Sequence, residues 1–156
     1  MTTPRRITIA ALAIAFFGCS GPQDLSRMTI RSQKTDDHAT RSVHARVRNT
    51  TTAALYLHNV DLKTGVMKTP PPPTIEPGGS GEFLAESAGT SAGVEGSVDY
   101  RVGSAAGPRA DFYFDNPYRG DSTVGCSAPS GYTATHEWRG DENARVTYTL
   151  RDRKVD

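Results

Sequence analysis

Four histidines (His38, His44, His58 and His136) and two cysteines (Cys19 and Cys126) are the side chains of this 156-residue chain best suited to metal or nucleophilic chemistry. Their spacing serves neither. No two histidines stand at the H-x-x-x-H interval, and the cysteines lack the short spacing of a zinc site. Asp36, Asp37 and His38 form a polar turn with no further ligand nearby. No serine occupies a nucleophile-elbow context of strand, tight turn and helix. No glycine-rich phosphate loop opens a helix, and the paired carboxylates are turn residues. The chain is therefore not expected to be an enzyme, and neither a metal nor a cofactor is expected.

The more informative combination is aromatic and cationic. Asp111 to Cys126 reads DFYFDNPYRGDSTVGC. Phe112 and Phe114 share one side of an extended strand, the core side, and Tyr113 points the other way, toward solvent or a partner. Pro117 stops the ladder because it has no amide hydrogen, which leaves Tyr118 and Arg119 at the strand's end. A tyrosine ring is apolar while its hydroxyl prefers water, which suits a membrane–water boundary. A neighbouring guanidinium can hold a phosphate through two hydrogen bonds. Two readings stay open. Either Tyr118 and Arg119 face lipid, or Tyr118 folds back over the end of the domain and Arg119 pairs with Asp115 or Asp121. Trp138, the one tryptophan, is in phase with Tyr132, Ala134 and His136.

From Arg41 onward the pattern has period two. Val43, Ala45 and Val47 alternate with His44, Arg46 and Arg48, the mark of a half-buried strand with a charged outer face. ALYLHNVDL follows with Leu55, Leu57 and Val60 as its apolar side. Pro70 to Pro73 read as an extended connection. EFLAES, VEGSVDYRV, RADFYF, DSTVGCS, GYTATHEW and ARVTYTL supply further strands, the last two joined as a hairpin by RGDEN. Seven or eight short strands with regular turn signals predict an all-β fold, a single antiparallel β-sandwich over residues 41–152.

The N-terminus has the layout of an export signal: Arg5 and Arg6, then Ile7 to Phe17, an uncharged run of 11 residues. That is too short for the roughly 20 residues a bilayer span needs. Gly18-Cys19 resembles a lipoprotein processing site, so residues 1–18 are expected to be removed and Cys19 to carry the lipid. Cleavage after Ser20 is the competing reading. Residues 19–40 read as a flexible tether. The protein is then exported, held in the outer envelope as a lipoprotein or else secreted, and Cys126 has no partner within the chain. Loss of residues 1–18 moves the formal charge from +1 to −1. The basic residues look scattered, so no nucleic-acid partner is expected. RDRK at Arg151 to Lys154 reads as a solvated tail.

The ordered motifs resemble the aegerolysin family and its small bacterial insecticidal-crystal-protein relatives. The resemblance rests on Gly93, Gly96, Val98 and Tyr100 in one strand, followed by Phe112, Tyr113, Phe114, Asp115, Pro117, Tyr118 and Gly120. A final VTYTL strand completes it, and the likeness runs from about Val43 to Leu150. It implies an actinoporin-like β-sandwich that binds membrane lipids, sphingolipids among them, and that cooperates in cytolysis with a perforin-like pore-forming partner. Fungal members carry several tryptophans around the aromatic loop; this chain holds Phe114 and Tyr118 at the matching places. The lipid-binding candidates are thus Tyr113, Tyr118, Arg119 and Trp138. The alternative is an envelope lipoprotein acting in protein interaction or self-protection, without cytolytic activity.

Overall fold

The computed structural model describes residues 40–154. The expected signal at 1–18, the acylation of Cys19 and the tether up to residue 39 lie outside the described residues.

Alternation of small apolar and charged side chains leaves β1 (Ser42–Thr50) only one way to lie, with Val43, Ala45 and Val47 fully inward. It is followed by β2 (Leu55–Thr64), β3 (Val66–Thr69), β4 (Thr74–Ile75), β5 (Ser80–Glu86), β6 (Val94–Val102), β7 (Arg109–Asn116), β8 (Thr123–Ser127), β9 (Tyr132–Arg139) and β10 (Asn143–Asp152). One sheet has the order β3-β5-β1-β10-β9 and the other β4-β2-β6-β7-β8. The fold is all-β and layered, as expected, with two differences. There are ten strands rather than seven or eight, because β3 and β4 are short pieces flanking the prolines. The sheets are not wholly antiparallel either: β1 and β10 run parallel from Ser42↔Asn143 to Thr50↔Arg151. The remaining pairs are antiparallel.

Between the sheets lie Val43, Val47, Leu55, Phe83, Val98, Tyr100, Phe112, Phe114, Val146, Tyr148 and Leu150. Rings meet across the layers: Phe83 to Phe114 at 5.7 Å and Phe112 to Tyr148 at 5.0 Å between centroids. Burial of each large side chain is worth about 1.5–3 kcal/mol. The two buried tyrosines satisfy their hydroxyls on backbone, Tyr100 donating to the Pro72 carbonyl at 2.8 Å and Tyr148 to that of Tyr113 at 2.5 Å. In β2 the inward set passes from Leu57 to Val60, a change of phase that a β-bulge at His58 accomplishes.

Two buried asparagines tie loops at opposite ends of the sandwich. Asn49 donates to the carbonyls of Ala53 (2.8 Å) and Ile75 (3.0 Å) and accepts from Thr51. Asn116 performs the equivalent task at the other end. Arg151 and Asp152 are not a loose tail. They end β10, and the Asp152 carboxylate accepts from the Thr52 amide at 3.0 Å.

On the outer side of the second sheet, Asp99 of β6 stands directly opposite Asp111 of β7. Asp99 is only 3% exposed. Burial and the facing Asp111 carboxyl push its pKa up to about 7, against the pull of Arg109 and Arg101. At Asp111 burial also acts upward, but hydrogen bonds from Arg109, Asp99 and Ser127 outweigh it and hold the pKa low. Of the two carboxyls, Asp99 is the one whose protonated form is favoured. His58, from β2, accepts from Arg101 at 3.0 Å, and burial together with Arg101 and Arg109 lowers its pKa. Because the folded pKa of Asp99 lies above its unfolded value, its contribution to stability is full below about pH 4 and is lost as pH rises toward about 7. Asp99→Asn, which keeps a donor for Asp111, should leave urea stability unchanged near pH 4. Near pH 8 it should raise it by about 1–2 kcal/mol, a figure discounted for screening by the two arginines.

Candidate functional site

The chain after β7 is shaped by three local features. Asn116-Pro117 ends the strand, and Gly120 turns the loop at a φ of 101°, a left-handed conformation that side-chain-bearing residues avoid. Gly93, just before β6, lies under the loop. A Cβ there would fall 2.7 Å from the Pro117 Cα and 3.0 Å from the Tyr118 amide nitrogen. The glycine at this place in the motif is thus required by close backbone approach.

Asn116 fastens the loop to the opposite sheet. Its Nδ2 group donates to the carbonyls of Asp141 (2.8 Å), Ser42 (3.1 Å) and Glu142 (3.2 Å), and its Oδ1 accepts from Ser122 at 3.1 Å. Arg41, on the segment entering β1, reaches the same loop. Its Nη2 donates to the Tyr118 carbonyl at 3.0 Å, and its Nη1 lies 3.5 Å from Glu142. The Arg41 and Arg119 guanidiniums stand 5.9 Å and 5.8 Å from the centroid of the Tyr118 ring. Such spacing is that of cation–π pairs. Tyr118 is 37% exposed and is the one exposed large apolar side chain among the described residues.

Beside this ring is a cleft of about 330 Å³ bordered by Arg41, Asn116, Asp121, Ser122, Trp138 and Asp141. The Trp138 indole nitrogen is used internally, donating to the Gly140 carbonyl at 3.0 Å. Asp121 and Asp141 are exposed and border the cleft together with Arg41. One cleft is therefore bordered by an indole-bearing residue and by charges of both signs.

The structure brings Tyr118, Arg119 and Trp138 to this one end of the sandwich. Tyr113 is elsewhere, on the outer face of the second sheet. Its hydroxyl donates to Glu95 at 3.1 Å and Lys63 lies 5.7 Å from its ring centroid. Lys63 also donates to Glu95 at 2.6 Å, which together with the Tyr113 bond holds the Glu95 pKa below the usual carboxylate range despite burial. Arg119 makes no ion pair with Asp115 or Asp121 among the described residues.

Arg41, Asn116, Asp121 and Asp141 were not among the sequence-derived candidates. Only Asn116 carried a signal, its place before proline at a strand end. Arg41 is 77 positions from its Tyr118 partner, and no local pattern links them.

Among the described residues, the nucleophile candidates are not assembled for chemistry. Cys126 of β8 lies 3.6 Å from His136 of β9, but burial pushes its thiol pKa up, away from the reactive thiolate. The letters G-T-S-A-G at Gly89–Gly93 join two strands with no helix, so Ser91 is not on a nucleophile elbow. No group of three metal-ligating side chains occurs among the described residues.

No protein-family model matches the chain, and no curated protein matches it. Solved structures do. The lipid binding protein Nakanori aligns over 72% of this chain and 71% of its own, with a TM-score of 0.65 and 18% identity. RahU protein, solved in complex with a TRIS molecule, aligns over 76% of this chain and 99% of its own, with a TM-score of 0.62 and 15% identity. IP-1A from Alcaligenes faecalis aligns over 76% and 96%, with a TM-score of 0.59 and 13% identity. At these identities the likeness is one of fold.

Asn116→Ala would take a donor from the carbonyls of Ser42, Asp141 and Glu142, of which that of Glu142 keeps the Ser42 amide, and unsatisfied buried groups cost about 1–3 kcal/mol. The expected outcome is a stability loss of about 2–3 kcal/mol by urea denaturation, with a shift in the emission of Trp138, which borders the same cleft.

Proposed function

We propose that this chain is an exported, lipid-anchored β-sandwich module of the aegerolysin type. In this reading it is acylated at Cys19 and recognises membrane lipid headgroups at the end that holds Tyr118, Arg119 and Trp138. The observation that carries it is the Tyr118 ring, exposed yet flanked by Arg41 and Arg119. A ring with cations on its flanks suits the phosphate level of a bilayer, because guanidiniums resist transfer into hydrocarbon. The adjoining cleft adds opposite charges: an arginine for a phosphate, and Trp138 with Asp121 and Asp141 for an ammonium group. A zwitterionic headgroup, sphingolipids included, carries both. Support also comes from the ordered motif set and from a fold shared with a protein described as lipid binding. The role is binding rather than catalysis. Any membrane damage would be the work of a perforin-like partner protein, since a headgroup-level contact does not open a bilayer.

Vesicle flotation across headgroup classes, with Trp138 emission as a second readout, tests the proposal. Tyr118→Ala with Arg119→Ala should weaken binding at least about tenfold, the equivalent of one lost cation–π or charge-assisted contact. Equal binding by parent and variant, or retention of a protein partner with no headgroup preference, would favour the envelope-interaction role. Mass spectrometry of the mature N-terminus should find an acylated Cys19; an unmodified terminus at Gly21 would refute the anchor.

A further inference from the structure

Folding sorts charges that look scattered along the chain. Residues 40–154 hold thirteen lysines and arginines and thirteen acids, so the domain as a whole is neutral. Yet the outward side chains of β1, β10 and β9 include five arginines, Arg46, Arg48, Arg145, Arg151 and Arg139, and one carboxylate, Glu137. The register places Arg145 directly between His44 and Arg139, although like charges set opposite each other repel. Arg46 is neutralised by Glu82 of β5, and Arg139 approaches Glu137 only to 4.0 Å. Arg48, Arg145 and Arg151 have no carboxylate partner among the described residues. They form a stripe along the parallel seam, about 20 Å from Arg145 to Arg151 at roughly 3.4 Å per residue. The hydroxyl-bearing Thr147 and Thr149 lie between them.

We infer that this outer sheet face is a docking surface for an anionic bilayer, with Arg48, Arg145 and Arg151 seated on lipid phosphates. The charge complementarity is direct, and guanidiniums grip phosphate oxygens in pairs. The face is a sheet surface that can lie along a plane of headgroups. Its near edge adjoins the aromatic end, because Arg139 leads into Asp141 on the rim of the cleft, although the Trp138 side chain itself packs on the inner side of the sheet. The choice of a bilayer over a soluble polyanion rests on the lipid reading of that end. The stripe itself rests on register and charge alone.

The test uses the full chain, its N-terminal segment identical in every variant, with phosphatidylcholine vesicles with and without phosphatidylglycerol, at low and high salt. Parent protein should bind the anionic vesicles more tightly, and the gain should fall steeply with salt. The triple variant Arg48→Gln, Arg145→Gln, Arg151→Gln should lose on the order of 100-fold of that anionic affinity, at roughly fivefold per arginine. It should bind neutral vesicles as the parent does. Tyr118→Ala with Arg119→Ala should show the reverse, so failure of the headgroup reading and failure of the stripe give different results. The three sites are exposed, and circular dichroism checks the fold; if the triple variant unfolds, the single variants carry the same comparison at about fivefold each. Equal anionic binding by parent and triple variant would overturn the proposal. So would a loss confined to a soluble polyanion such as heparin with vesicle binding intact.

Discussion

The parallel ladder between β1 and β10 is the constraint on which the rest depends. It joins the first strand of the domain to the last across nine register pairs and closes one sheet around Val43, Ala45 and Val47 on one side and Val146, Tyr148 and Leu150 on the other. Without it, Arg41 would not arrive beside the β7–β8 loop, and Asn116 would have no Ser42 carbonyl to hold. Long-range pairing of this kind closes a loop of about a hundred residues, so its entropy must be offset by apolar contact. The tight ring packing of Phe112 on Tyr148 across the layers supplies part of that contact.

Buried polar groups divide into two kinds here. Asn49 and Asn116 are fully bonded, and each replaces a stretch of missing ladder where strands give way to loops. Such groups specify one loop geometry because any other leaves carbonyls unpaired. The Asp99 and Asp111 pair is different in nature. It sits on the outside of a sheet with Asp99 screened from water, and Arg109 lies against both carboxylates. The first kind positions the candidate site, and the second makes one sheet face sensitive to pH.

Much of the architecture was legible because period two leaves little choice. β1, β6, β7 and β10 bury the alternating side chains that their patterns nominate, whereas the bulge that brings Val60 to the side of Leu57 emerges only in the strand register. The short strands β3 and β4 were hidden by Gly65 and the prolines, which locally erase alternation. The direction of β1 against β10 was not legible at all, since alternation is the same in parallel and antiparallel pairs. The candidate site divides along the same line. Tyr118 and Arg119 were visible because a proline ends their strand, whereas the place of Arg41 and the arginine stripe exist only through pairings between distant parts of the chain. Scattered charge in one dimension became a sorted face in three.

The described chain begins at Thr40 and Arg41, against Tyr118, while Lys154 leaves from the far pole beyond Asp152. The two ends of the described segment are thus inequivalent as handles. Cargo or a reporter attached after Lys154 would ride clear of the aromatic tip, whereas bulk placed just ahead of Thr40 would crowd it.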